Sequence, residues 1–446
     1  MSFTQKKYAR KGEENMIKNI YDSFVLKGEI AYAVDENTIQ TYHNGYLVCE
    51  KGKCLGAFQE LPEKFQNLPI HEHKNNLIIP GMTDLHVHAP QYTYRGIGMD
   101  LELLEWLNQH TFPEEAKYAN LDYARRAYSY FAEDLRRCFT TRAVIFATIH
   151  NQSTIELMDQ LEATGMVTYV GRVNMDRNGG VNLQEESADA SLQGTIEWLD
   201  AVEGRYENTF PIITPRFIPS CSDELMMKLG QLAKKRELRI QSHLSENQSE
   251  IAWVKELVPK SGCYANAYEM FDSLGDIQHP AIMAHCVYSD RKEMDILKKY
   301  GTYVAHCPES NMNLSSGIAP VRKFLNEEIH VGLGTDVAGG SSLNLIKTIL
   351  CTLQSSKMYY RLVDSSVKAL TFEEVFYLAT LGGGKYFGKV GTFKEGYDFD
   401  AVVIDDSKMY SMREMTIRER IERMVYNDSD CIIIDKYVKG KQNFYR

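Results

Sequence analysis

Near the start of the chain, short apolar runs are broken by turn residues, in "SFVLKGEIAYAV" and then "QTYHNGYLVCEKGKCLGAF". That texture predicts strands, and Asn44-Gly45 predicts a hairpin turn between two of them. The chain's end repeats it in "FDAVVIDD" and "CIIIDKYVKGKQNFYR", so both ends are expected to share one small sheet. Between them the period changes to apolar strands alternating with amphipathic helices. Strands are expected to end near "TDLHVHA", "AVIFATI", "VTYVGRV", "PIITPRF", "RIQSHLS", "AIMAHCV", "TYVAHCP" and "HVGLGTD". Helices are expected between them, as in "STIELMDQLEATG", "SDELMMKLGQLAKKREL" and "DRKEMDILKKYG". Eight such alternations favour a closed parallel barrel over an open doubly wound sheet. The expected fold class is α/β: a (β/α)8 TIM-like barrel over 77–388, with a small β-sandwich domain built from 1–76 and 389–446.

Length and composition narrow the functional classes. The 446 residues suffice for both units, and 44% hydrophobic with 25% charged residues is globular usage. A net charge of -10 argues against nucleic acid or an anionic membrane as partner. No apolar stretch is long enough to span a bilayer. The N-terminus, "MSFTQKKYARKGEENM", is polar, lacks the apolar segment of a secretory signal and reads as an extension. Nine scattered cysteines without a CxxC pair predict reduced thiols in a cytoplasmic enzyme.

The chemistry sits at the strand ends. His86 and His88, one residue apart, should share a face of their strand, with Leu85 and Val87 on the other. His243, His285 and Asp336 close three further predicted strands, and catalytic side chains of a parallel barrel occupy that edge. Three imidazoles and a carboxylate make a zinc set with a position open to water. Glu246, three residues beyond His243, can reach such a water as proton carrier; the plainer reading is a helix-start glutamate offsetting the macrodipole. His306 also ends a strand and is expected to be structural, while His71 and His73 share the one-apart spacing in a polar stretch that reads as surface.

With these residues in view, the sequence resembles the amidohydrolase superfamily and, within it, the guanine deaminases. The marks are "PGMTDLHVHAPQY", "LLEWLNQHTFPEE", "PRF", "HLSE", "AHCV" and "GTDVAGG", and the resemblance runs from about residue 20 to the C-terminus. It implies His86, His88, His243 and Asp336 as ligands of one zinc ion per chain, iron(II) being compatible with the set. The segment "TPRFIPS" lacks the lysine that binuclear relatives use, which favours a single metal. Glu246, His285 and Asp336 would act in catalysis. The purine would meet His88, Ala89, Pro90, Gln91, Arg216, Phe217, His243, Glu246 and Asp336. Metal-bound hydroxide would attack C2 of guanine with Glu246 shuttling the proton, giving xanthine and ammonia. The purine's O6 and N7 acceptors match the fork of an arginine such as Arg216. Leu103, Leu104 and Leu107 have helical spacing and read as core, with Trp106 placed to cap the pocket. A homodimer is implied by the resemblance. Deaminases of other purines or pterins, and triazine hydrolases, would keep the metal set but lose "HAPQY" and "PRF". A non-catalytic assembly protein on this scaffold would lack ligands or the shuttle.

Overall fold

The computed structural model describes residues 23–427 and 430–446; the polar N-terminal extension lies outside them. Strands β1 (Ser23–Ala33), β2 (Ile39–Glu50), β3 (Lys53–Phe58) and β4 (Ile70–Pro80) come first. There follow β5 (Met82–His88), β6 (Thr140–Phe146), β7 (Val167–Gly171), β8 (Val173–Asn174), β9 (Thr209–Pro211) and β10 (Thr214–Pro215). Next come β11 (Gln241–Leu244), β12 (Ile282–His285), β13 (Tyr303–His306) and β14 (His330–Leu333), and β15 (Ala401–Asp405), β16 (Ile432–Val438) and β17 (Lys441–Tyr445) close the chain.

Both chain ends do meet in one sheet, of seven strands in the order β17-β16-β15-β4-β1-β2-β3. It has its own apolar core, in which Phe24, Leu26, Ile30, Leu47, Phe399 and Tyr437 are buried together. The hairpin expectation needs correcting. Asn44 and Gly45 lie inside β2, where pairing passes from Gly28–Gly45 to Ile30–Tyr42, so the signal marks a bulge and not a turn. The hairpin turn is at Lys51-Gly52, with φ of 49° and 79°, and Glu50 stands opposite Lys53. Left-handed backbone at both central positions suits a tight two-residue turn.

All eight predicted strand regions form strands. Eight strands pair in the order β11-β12-β13-β14-β5-β6-β7-β9, and every pairing is parallel. "VTYVGRV" and "PIITPRF" each break into two short strands, and β8 and β10 pair separately. Pro211 and Pro215 have no N–H for a ladder, which fits breaks at those positions. The outer strands approach each other: Ile213 forms a parallel bridge with Ile240, and Gln241 N donates to its carbonyl at 2.9 Å.

The predicted helices appear with their expected ends. Asn151–Thr164 stops at left-handed Gly165, and Arg291–Tyr300 stops at left-handed Gly301. Asp223–Arg236 starts on a Ser222 cap that accepts from Leu225 N. Among the described residues no helix is long and apolar enough to cross a membrane. Cys54, Cys138, Cys221, Cys263, Cys286, Cys307 and Cys351 carry free thiols.

Candidate metal and substrate site

β5 is buried throughout, but simple alternation fails along it. Relative to β6 it carries an extra residue between Asp84 and Val87. Leu85 therefore packs with Val144, Ile212 and Ala284, while Val87 joins a different cluster, which corrects the expectation that the two share a face. Buried Asp84 fastens this irregular stretch. Its Oδ1 accepts from His86 N at 3.2 Å and Thr335 N at 3.0 Å, and its Oδ2 accepts from Thr335 Oγ1 at 2.5 Å. The end of β14 is thus clamped to β5, and Asp336 N donates to His86 O at 2.8 Å.

Four donor atoms converge there. His88 Nε2 is 3.2 Å from both His86 Nε2 and His243 Nε2. Asp336 Oδ1 is 3.1 Å from His86 Nε2 and 3.4 Å from His88 Nε2. Ligands at about 2.0–2.1 Å around a tetrahedral zinc lie roughly 3.3 Å from one another, and these four separations match that spacing. The chemistry of the set agrees. His243 Nδ1 donates to the Arg216 carbonyl at 2.6 Å, which leaves Nε2 as a lone pair facing His88. Burial pushes both His88 and His243 well below the usual imidazole range, keeping them neutral. Burial alone would raise Asp336, but the facing His86, His285 and His88 outweigh it and hold the carboxylate ionised. The residues therefore fit one divalent ion.

His285 stands beside this cage, with Nδ1 2.9 Å from Asn311 Oδ1. Its Nε2 is 3.3 Å from Glu246 Oε2 and 3.7 Å from Asp336 Oδ2. Glu246 accepts from Ser316 Oγ at 3.2 Å. Burial, followed by the Asp336 charge, raises it well above the usual carboxyl range. It is not the cap of the following helix, because Asn247 and Glu250 form that capping box. Ser245, His285 and Asp336 all have positive φ, at 47°, 72° and 46°, so three chain bends of rare conformation cluster around the site.

A cavity opens onto these groups, lined by His88, Gln91, Arg216, Phe217, His243, Glu246, His285 and Asp336. Leu103, Trp106, Leu107 and Leu314 complete the lining. Leu103 and Leu107 therefore face the substrate space and are not only core, whereas Leu104 does not line it. Trp106 is buried over the cavity, its indole donating to Ile97 O at 3.0 Å. Ala89 and Pro90 are buried in the short helical segment after β5 and do not reach the lining. His306 is buried at the end of β13, outside the groups of converging donor atoms. His71 is exposed on β4, as its setting predicts; His73 is half-buried, 3.9 Å from Asp435.

One central residue escaped sequence reasoning. Glu115 accepts from Gln91 Nε2 at 2.8 Å, and from Arg216 Nη1 at 2.7 Å and Nη2 at 3.1 Å. The fork of Arg216 is thus filled by this carboxylate, so only its remaining N–H groups can face a purine, which corrects the fork reading.

Fold and site together define a class, the metal-dependent hydrolases carried on a parallel α/β sheet. The chain belongs to the amidohydrolase family, whose profile, described as "Amidohydrolase family", matches residues 77–442. It is 37% identical over 446 residues to a guanine deaminase of Dictyostelium discoideum, covering 94% of this chain and 97% of that one. With a Homo sapiens guanine deaminase it shares 37% over 394 residues, 85% of each chain. A crystal structure of a C. acetobutylicum guanine deaminase with guanine in the active site superposes with a TM-score of 0.91. That pair is 44% identical and covers 95% of this chain and 100% of the other.

Proposed function

We propose that this protein hydrolyses guanine to xanthine and ammonia, with one zinc ion held by His86, His88, His243 and Asp336. The observation that carries the reading is the convergence of His86, His88, His243 and Asp336 beside a cavity lined by Gln91, Arg216 and Phe217. Iron(II) suits the same donors. Bound there, the metal supplies Lewis acidity that lowers the pKa of a water to about 7. The protein's own groups do the rest. Glu246 takes a proton from the attacking water and delivers it to a ring nitrogen beside C2, as the exocyclic C–N bond weakens. His285 hydrogen-bonds the incoming water or the substrate, and Glu246 with Asp336 passes the proton that lets ammonia leave. Phe217 covers one purine face, while Gln91 and the free N–H groups of Arg216 meet O6 and N7. Leu103, Trp106 and Leu107 keep bulk water out.

The same proposal includes closure of the eight-stranded sheet into a barrel, supported by the Ile213–Ile240 bridge. It includes a small domain, 1–76 with 389–446, folded as a sandwich about its own core, and a hydrolase unit over 77–388. β4 crosses the first boundary, and residues 1–22 lie outside the described part. Residence in the cytoplasm and pairing as a homodimer complete it, the latter checked by light scattering against twice 51.1 kDa.

Purified protein incubated with guanine should form xanthine, followed by ultraviolet absorbance, and should leave adenine and cytosine unchanged. Turnover of adenine or a pterin with guanine untouched would replace the substrate and keep the class.

A further inference from the structure

Glu115 is buried behind the cavity, and the deamination steps leave it unused. Resting on the guanine reading, we propose that Glu115 is a positioning residue that locks Gln91 and Arg216 into one donor unit and cancels the arginine's charge. The site would then select neutral 6-oxopurines and hold an ionised product weakly.

The pair is enclosed, Arg216 being 3% and Glu115 1% exposed. Both carboxylate oxygens are used: Oε1 accepts from Gln91 Nε2 and Arg216 Nη2, and Oε2 accepts from Arg216 Nη1. A bidentate pair of this kind fixes the plane of the guanidinium as well as its place. Gln91 is fixed at its other end too, because its Oε1 accepts from Ala338 N at 3.1 Å. Flipping the amide would set its oxygen against the carboxylate and its NH2 against an N–H donor. Phe112, from the same short helix as Glu115, lies with its ring centre 5.2 Å from the Arg216 guanidinium carbon. The segment "TFPEE" thus clamps one arginine by face and by fork.

The charge argument follows from the surroundings. Tyr94, Tyr118 and Tyr128 near the carboxylate are all pushed upward by burial and stay neutral. Glu114 is engaged by Lys117 and Tyr123. Glu115 is the carboxylate paired directly with Arg216. Guanine is neutral near neutral pH, whereas xanthine, its deamination product, loses a ring proton under mildly alkaline conditions. An unbalanced buried guanidinium would favour that anion over the neutral substrate.

The test compares two inhibitors that share O6 and N7, xanthine and hypoxanthine, in mildly alkaline buffer where the first is mostly anionic and the second mostly neutral. Ki for each, with kcat and KM for guanine, is measured in wild type, Glu115→Gln and Arg216→Met. In Glu115→Gln the preference for xanthine over hypoxanthine should rise by about tenfold or more, and KM for guanine should rise more than kcat falls. In Arg216→Met, which leaves the carboxylate uncompensated, the preference should move the opposite way. This second variant keeps the test decisive if Glu115→Gln does not fold. An active wild type whose two variants weaken both inhibitors in parallel, with an unchanged ratio, would overturn the charge-cancelling role of Glu115 and leave the deaminase reading standing. A wild type inert on guanine would overturn the deaminase reading, and this inference with it.

Discussion

His243 shows how one backbone carbonyl decides a residue's chemistry. Its Nδ1 hydrogen is spent on Arg216 O at 2.6 Å, so the ring can offer only Nε2 to the cage. Arg216 thus orients His243 through its backbone while its side chain lines the cavity. If the cage is the metal site, the protein as isolated carries about one zinc or iron per chain by elemental analysis, and His86→Ala loses both metal and turnover. Two tightly held ions per chain would defeat the mononuclear arrangement. Glu246→Gln should keep the metal and bind purine but lose roughly two to four orders of magnitude in kcat, about 3–5 kcal/mol, for want of a proton carrier. Near-normal turnover in that variant would return Glu246 to the plainer role of a helix-start glutamate offsetting the macrodipole. The convergence of the histidines and Asp336 was legible because strand ends in a parallel sheet gather along one edge. Glu115 was not legible: nothing in local sequence says that a helix after the first strand will lie against a residue about a hundred positions later.

At the scale of elements, periodicity read the helices and parallel strands well and the local irregularities poorly. A bulge in β5 and another in β2 each add a residue that alternation cannot anticipate, and both depend on the neighbouring strand. The helix Ile417–Tyr426, with a Thr416–Glu419 capping box, was also unmarked in the reading of the C-terminal strands. Packing between elements likewise makes a feature invisible in sequence. Lys436 on β16 is fully buried, donating to Cys138 O at 3.1 Å and Thr140 O at 2.9 Å where β6 begins. Burial, aided by Arg136, lowers its ammonium from the usual 10.5 to about 7. Between those values the unfolded chain holds a proton that the folded one lacks, so this residue makes stability rise with pH across that window. Below about 7 its full penalty is present. Lys436→Met should therefore flatten the rise by up to about 1.4 kcal/mol per pH unit, measured by urea unfolding from neutral to alkaline pH. Parallel pH profiles for variant and wild type would mean that Lys436 keeps an ordinary pKa.

For the molecule as a whole, the question is what makes two sheets one structure. β4 passes into β5 through Gly81, whose N–H donates to Asp400 O at 3.1 Å. A β-carbon there would stand 2.2 Å from the Thr141 side chain, so the joint admits no larger residue without movement. Beside it Arg142, on β6 of the parallel sheet, donates Nε to Asp400 Oδ2 at 2.8 Å and Nη2 to Asp398 Oδ2 at 2.9 Å. Asp400 also accepts from Lys439 N at 2.8 Å, which draws the turn before β17 into the same knot. Removing the arginine would leave Asp400 buried without its cation. Arg142→Met should accordingly cost about 3–5 kcal/mol of unfolding free energy, since breaking a buried pair leaves a bare charge. Activity should respond differently. Arg142 lies near the start of β6, whereas Phe146, at the other end, pairs with His88. Four residues of strand separate them, roughly 13 Å, and that edge of a parallel sheet serves stability while the far edge serves chemistry. Folded Arg142→Met protein should therefore hold its metal and turn over guanine at close to the wild-type kcat, while its urea midpoint falls. A variant that lost metal or kcat while still folded would show that the junction between the sheets sets the geometry of the site as well as its stability.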